Sequence, residues 1–306
     1  MHAITYPKIS IVTPSFNQGQ FIEETIRSVL EQGYPNLEYV VIDGSSTDNS
    51  TDIIRKYQKQ LAYWVSEPDG GQYEAIIKGF SKTTGEIMAW LNSDDKYTPW
   101  AFSIVAEIFS KFPQVEWLTT SYELVWDQLG RAVNCGRRGG FNRHAFFRGS
   151  YLPNKGWYSL GWIQQESTFW RRSLWDRAGG HIDPTLKLAG DFDLWANFFQ
   201  YADLYAVSSP LGGFRMHGNQ KSLQQIPAYI EEAKLSLSRH GGHPYGKFES
   251  AIRRFLHLSM MGNREMSRNN LPPLLASIIK MLPIFYPVKL CTWTSEGWQL
   301  GEGYIV

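Results

Sequence analysis

The chain has 306 residues, 43% of them hydrophobic and 15% aromatic, with 30 Lys and Arg against 29 Asp and Glu for a formal net charge of +1. That length buries a substantial core, and the near-neutral balance excludes the broad basic field that collects nucleic acid. Two cysteines, Cys135 and Cys291, are too few and too far apart for a disulfide framework or a cysteine zinc site, which fits a reducing, cytoplasmic setting.

Residues 1–8 lack the charged start and apolar core of a signal peptide, because strand-forming residues follow at once. Residues 8–13 are a nearly continuous β-branched run ended by Pro14, as in a strand buried on both faces. After the loop 14–20, Phe21, Ile22, Ile26, Val29 and Leu30 share a helical face, with Glu23 and Glu24 in the first turn, where the helix dipole favours anions. Residues 37–42 repeat the strand, 43–48 the loop and 49–60 the helix. Strands joined in this way need a right-handed crossover and lie parallel. Ligands of such sheets bind beyond the carboxyl ends of the strands, so 14–17, 43–46 and 92–95 are expected to meet in one crevice.

Residues 63–66 form a short strand, and Asp69, Gly70, Gly71 and Gln72 make a turn whose glycines let backbone N–H groups approach a phosphate or ribose; a plain turn has the same composition. A helix spans 73–81. Met88, Ala89, Trp90 and Leu91 end a buried strand, and Asn92, Ser93, Asp94 and Asp95 follow where it opens. Adjacent carboxylates oppose each other's ionisation unless a cation or donors compensate, so a divalent metal or a polar ligand explains the pair; so does capping of a helix beginning near Pro99.

A helix over 101–111 and a strand over 115–122 precede a Gly- and Arg-rich surface stretch, 127–150. Residues 157–172 are dense in aromatics, with Trp157, Trp162 and Trp170 around Gln164, Gln165 and Glu166. A helix opening in 188–195 buries Leu194, Trp195, Phe198 and Phe199, leaving Asp191 near its first turn as an N-cap. Strands at 205–207 and 211–217, the latter ending in His217, lead to helices over 227–240 and 245–262. The apolar tail 271–290 is broken by Lys280 and four prolines, which excludes a membrane span; it fits a membrane interface, or packing on protein or a second subunit.

Four ordered stretches, 10–17 (SIVTPSFN), 41–48 (VIDGSSTD), 85–95 (GEIMAWLNSDD) and 190–195 (GDFDLW), resemble glycosyltransferase family 2, the inverting nucleotide-sugar transferases of GT-A fold. The resemblance covers 9–222 and implies an α/β fold with a mainly parallel central sheet flanked by helices: a transferase domain over 1–225, divided near 125 into donor and acceptor parts, and a helical C-terminal extension over 226–306. It implies that Pro14, Ser15, Phe16 and Asn17 line the nucleotide pocket, Asp43 contacts the base, typically uracil, and Asp69, Gly71, Gln72, Asn92, Ser93 and Asp94 complete the donor site. Asp95 and His217 would hold Mn²⁺ or Mg²⁺, Asp191 would be the catalytic base, and Trp162, Gln165 and Glu166 would face the acceptor.

The implied partners are a nucleotide-sugar, first a UDP-sugar, and a saccharide or lipid-linked acceptor in surface-polysaccharide assembly. A binding or scaffold protein without turnover is the alternative, and a nucleotidyltransferase would want a phosphate loop richer in glycine and lysine. Two positions depart from the family pattern: Asn92 stands where relatives carry Asp, and Ile76-Ile77 where they carry Arg-Asn, leaving Lys78, Arg137, Arg138 or the metal to meet a diphosphate.

Overall fold

The computed structural model describes residues 6–153, 159–218, 220, 224–262 and 286–305, with backbone alone over 256–262. The first half builds strands and helices in alternation: β1 (Ile9–Ser15), α1 (Ile22–Leu30), β2 (Leu37–Asp43), α2 (Ser50–Tyr57), β3 (Tyr63–Ser66), α3 (Gln72–Phe80) and β4 (Ile87–Trp90). β1 pairs in parallel with β2 and β4, and β2 with β3. Every residue of β1 is buried, as its unbroken apolar run requires when helices cover both faces. The loops after β1, β2 and β4 therefore leave the sheet on one edge, as expected.

The strand expected over 115–122 is two. After β5 (Lys96–Tyr97) and α4 (Ala101–Lys111), β6 (Trp117–Thr120) stays in the main sheet, while β7 (Tyr122–Trp126) leaves for a second one. The break falls at Ser121, whose N–H and hydroxyl both donate to the Val207 carbonyl, at 2.8 and 2.9 Å. The Gly- and Arg-rich stretch is ordered as β8 (Ala132–Arg137), antiparallel to β7, and α5 (Arg143–Phe147). β8 is largely exposed at a sheet edge, so it lacks the alternation that marks a half-buried strand.

A 3-10 turn (Gln165–Ser167) precedes β9 (Phe169–Arg171), α6 (Arg172–Arg177), α7 (Gly190–Tyr201), β10 (Leu204–Val207), β11 (Gly212–Arg215), α8 (Ile226–Arg239), α9 (Lys247–Gly262), β12 (Tyr286–Thr294) and β13 (Gly297–Ile305). The large sheet runs β13-β12-β10-β6-β9-β4-β1-β2-β3, with β9 antiparallel between β4 and β6; the small sheet runs β5-β11-β7-β8. The tail corrects the expectation of a purely helical extension. β12 pairs in parallel with β10, and Val288, Cys291 and Trp298 are buried, so a hairpin extends the main sheet. The apolar side chains cited for a membrane face at 274–285 lie outside the described residues. No described helix is long and apolar enough to cross a membrane.

Many of the tryptophans pack in the core. Trp195 of α7 stacks on Trp90 and Trp117, with ring centroids 6.0 and 5.5 Å apart, and Trp170 meets Trp90 edge-on at 5.6 Å. This layer lies directly beneath the end of β4, so the loop carrying Asp94 and Asp95 stands on rigid aromatic packing.

Candidate active site

A cleft of about 510 Å³ opens at the carboxyl ends of β1 and β4. Pro14, Ser15, Phe16, Asp69, Gly71, Gln72, Asn92, Ser93, Asp94, Asp95, Trp162, Gln165, Glu166 and Asp191 all line it, so most of the expected residues meet in one place. Asn17, Asp43 and His217 do not line it. Asn17, at a φ of 51°, accepts the Thr47 N–H at 2.8 Å and so ties the first loop to the second. Asp43 is buried and accepts from the Ser46 N–H at 2.9 Å and from the hydroxyls of Ser46 and Ser66 at 2.5 and 2.6 Å. Both residues shape the loops that form the cleft lip.

The carboxylate loop is held from below by a charge network that sequence patterns do not show. Arg215 at the end of β11 is 1% exposed; its backbone N–H donates to Asp95 Oδ1 at 2.8 Å and its Nε to the Asp94 carbonyl at 2.6 Å. Its guanidinium reaches Glu24 of α1 at 2.6 Å, and Lys96 donates to the same carboxylate at 2.6 Å. Glu24, expected only to favour the helix dipole, is thus the counter-ion that lets Arg215 be buried. Gln72 Nε2 donates to Asn92 Oδ1 at 2.7 Å, and Asn92 Nδ2 approaches Asp95 Oδ2 at 3.4 Å. At this position an amide can donate to Asp95 where a carboxylate would repel it.

Asp95 is 1% exposed, and burial together with the neighbouring Asp94 and Glu166 carboxylates holds its pKa well above the usual range. His217 Nε2 lies 3.1 Å from Asp94 Oδ2 and its ring packs on Phe21, so it braces Asp94. The donor set fits a hard divalent cation in part. Among the described residues, Asp95 Oδ2 has only the long contact to Asn92, and a cation would relieve the crowding of like charge. Among the described residues no three His, Cys, Asp or Glu side chains stand together at metal-binding spacing, so oxygens from outside the protein would have to complete the shell.

Across the cleft, Asp191 sits in the first turn of α7, which starts after Ala189 with no side-chain cap. The N-cap position is Ala189 and not Asp191, and Glu232 of α8 holds the chain just before the helix, its carboxylate accepting the N–H groups of Leu188 and Ala189 at 2.9 and 3.0 Å. Tyr229, one turn earlier on α8, donates toward Asp191 Oδ1 and Oδ2 at 3.3 and 3.4 Å. Burial pushes the Asp191 pKa up to about 6, against N–H groups of its own helix end and the Tyr229 hydroxyl, which favour the ionised form. Burial likewise pushes Glu166 up to about 8, with Glu123 and Asp191 adding to the rise.

Tyr229, Glu232, Arg215 and Lys187 are the site residues that the sequence patterns missed. The i, i+3 pairing of Tyr229 and Glu232 on one helix face was visible, but nothing local tied that face to Asp191. Of the cations proposed for a diphosphate, Lys78 pairs with Glu67, Arg138 with Glu123, and Arg137 lies over the Tyr122 ring, while Lys187 lines the cleft with its ammonium 3.4 Å from the Gly70 carbonyl.

Comparison with known proteins agrees with this architecture. Residues 10–120 match the family model described as Glycosyl transferase family 2. An uncharacterized glycosyltransferase of Rickettsia prowazekii is 27% identical over 227 residues, covering 73% of this chain and 69% of the relative. The structure of S. aureus TarS 1-349 in complex with UDP-GlcNAc is similar with a TM-score of 0.59 at 17% identity, over 86% of this chain and 74% of that one. The Pyrobaculum calidifontis mannosyltransferase PcManGT, in complex with GDP-Man and Mn²⁺, gives 0.56 at 16% identity, over 90% and 79%. At these identities the structural likeness is one of fold, the mixed and mainly parallel GT-A sheet with its flanking helices.

Proposed function

The chain belongs to glycosyl transferase family 2, and on that premise we propose that it is an inverting, divalent-metal-dependent enzyme. It moves a hexosyl group from a nucleotide-sugar, first a UDP-sugar, to a hydroxyl of a saccharide or lipid-linked acceptor, as surface-polysaccharide assembly requires. The observation that carries this reading is the placement of Asp191, half-buried with a pKa near 6, in the same cleft as the paired carboxylates Asp94 and Asp95.

Inversion needs one displacement and one base. The acceptor oxygen bonds to the anomeric carbon as the bond to the diphosphate oxygen breaks, and the acceptor proton passes to Asp191. A base with a pKa near 6 is ionised at neutral pH yet basic enough to take that proton, and Tyr229 steadies its orientation. Asp95, with Asp94 braced by His217, would hold the cation, which supplies charge neutralisation to the leaving diphosphate. Phe16, 55% exposed at the cleft lip, offers a stacking face to the base, and Lys187 a positive charge near the phosphates. The donor complexes of TarS with UDP-GlcNAc and of PcManGT with GDP-Man and Mn²⁺ support a nucleotide-sugar and a metal on this fold.

The test is release of nucleoside diphosphate from UDP-glucose, UDP-galactose, UDP-N-acetylglucosamine and GDP-mannose, with Mn²⁺ and with EDTA. Metal-dependent release from one of them is expected. Thermal stabilisation without release would favour a binding protein, and release unaffected by EDTA would remove the metal from the proposal.

A further inference from the structure

We propose that Gln165 and Glu166 form the wall that reads the hydroxyl groups of the transferred sugar, so that this pair selects the donor hexose and does not face the acceptor. The proposal rests on the transferase reading above and deepens it.

Both side chains line the cleft while only 8% and 4% exposed. Gln165 Oε1 and Glu166 Oε1 have no hydrogen-bond partner among the described residues. Buried polar atoms are as a rule paired, and two neighbouring ones without a partner, on side chains that line the cleft, fit a ligand that brings adjacent hydroxyl groups, which donate and accept alike. A pyranose ring does so with its vicinal hydroxyls.

Placement decides which sugar. Gln165 is fixed by donation from Nε2 to the Trp90 carbonyl at 2.7 Å, directly before the carboxylate loop. Glu166 is fixed through its backbone, since β11 passes so close that a Cβ on Gly212 would clash with the Glu166 carbonyl oxygen. Glu166 lines the same cleft as Asp95 and Asp191, near enough to both for like charge to raise the pKa of Asp95 and of Glu166 itself. In a single displacement the anomeric carbon lies between the leaving diphosphate, held at Asp95, and the acceptor hydroxyl, held at Asp191. A wall anchored on Trp90, directly before the loop of Asp94 and Asp95, and lining the cleft that also holds Asp191 is on this reading beside the donor's ring. Trp162, 36% exposed on the same cleft, is left as the aromatic face for an acceptor.

The experiment is calorimetric titration, in Mn²⁺, of the four nucleotide-sugars named above and of UDP and GDP into the full-length protein and its Glu166→Ala, Glu166→Leu, Glu166→Gln and Gln165→Leu variants. Thermal melts confirm folding, and if the alanine variant does not fold, the leucine and glutamine variants carry the comparison. For the nucleotide-sugar that binds, Glu166→Leu and Gln165→Leu should weaken affinity at least ~10-fold while nucleoside diphosphate affinity stays within about twofold. Glu166→Gln, which keeps an acceptor oxygen, should stay within about threefold of the parent. Equal losses for nucleotide-sugar and nucleoside diphosphate would overturn the proposal, as would unchanged donor affinity. If the parent protein binds no nucleotide-sugar at all, the transferase reading falls first and this inference with it.

Discussion

In the proposed mechanism Asp191 is the base, and its behaviour follows from its surroundings. If Asp191 is the base, its ionised form is the active one, and the rate should rise with pH through an apparent pKa near 6 and level off above it. The neighbours should move that limb in opposite directions. Tyr229→Phe removes a donor to the carboxylate and shifts it upward; Glu232→Gln removes a nearby negative charge and shifts it downward. A pH–rate profile of each variant checks both signs.

Stability follows the same group with the opposite preference. Because the folded pKa lies above the unfolded value near 3.8, the folded state holds the Asp191 proton more tightly, and the stability this contributes is lost as pH rises through about 6. Asp191→Asn should therefore raise Tm at pH 7.5, lose that gain near pH 4, and lower transfer by about 10²–10⁴-fold. That Asp94, Asp95 and Asp191 would share one cleft was legible through the family resemblance, since their local pattern alone fits helix capping equally well. The bonds from Glu232 to the chain just before α7 were not, since they join residues some forty positions apart.

At the scale of elements, the site depends on α1 and β11 meeting under the carboxylate loop. Glu24→Ala would leave the Arg215 guanidinium buried without its counter-ion. The expected cost is about 2 kcal/mol, below the ~3–5 of a wholly buried pair because Glu24 is 40% exposed. Urea unfolding measures it, and weaker Mn²⁺ stabilisation should accompany it as the Asp94–Asp95 loop loosens. The βαβ units were readable from their apolar runs, which report burial on both faces. The split at Ser121 and the edge strand β8 were not, because a change of sheet is set by a partner strand and an exposed strand has no apolar signature.

For the molecule as a whole, the C-terminal hairpin turns an expected appendage into part of the main sheet. Removing 286–305 would expose the β10 edge and the apolar surface that Val288, Cys291 and Trp298 cover. The truncated protein should aggregate or melt without a sharp transition by size-exclusion and thermal measurement; an unchanged, cooperative melt would show that the hairpin is dispensable. The proline and aromatic content of this region conceals the strands, and their pairing with β10 spans about eighty residues of chain.

The proposed mechanism divides donor binding, at Asp95, from proton removal, at Asp191, within one cleft. The most direct measurement compares the parent protein, Asp95→Ala and Asp191→Asn for nucleotide-sugar affinity in Mn²⁺ and for transfer rate on the same preparations. The predicted result is loss of both in Asp95→Ala, and in Asp191→Asn donor affinity close to the parent with transfer nearly abolished. Transfer at the parent rate by Asp191→Asn, or metal-dependent donor binding that survives Asp95→Ala, would contradict it.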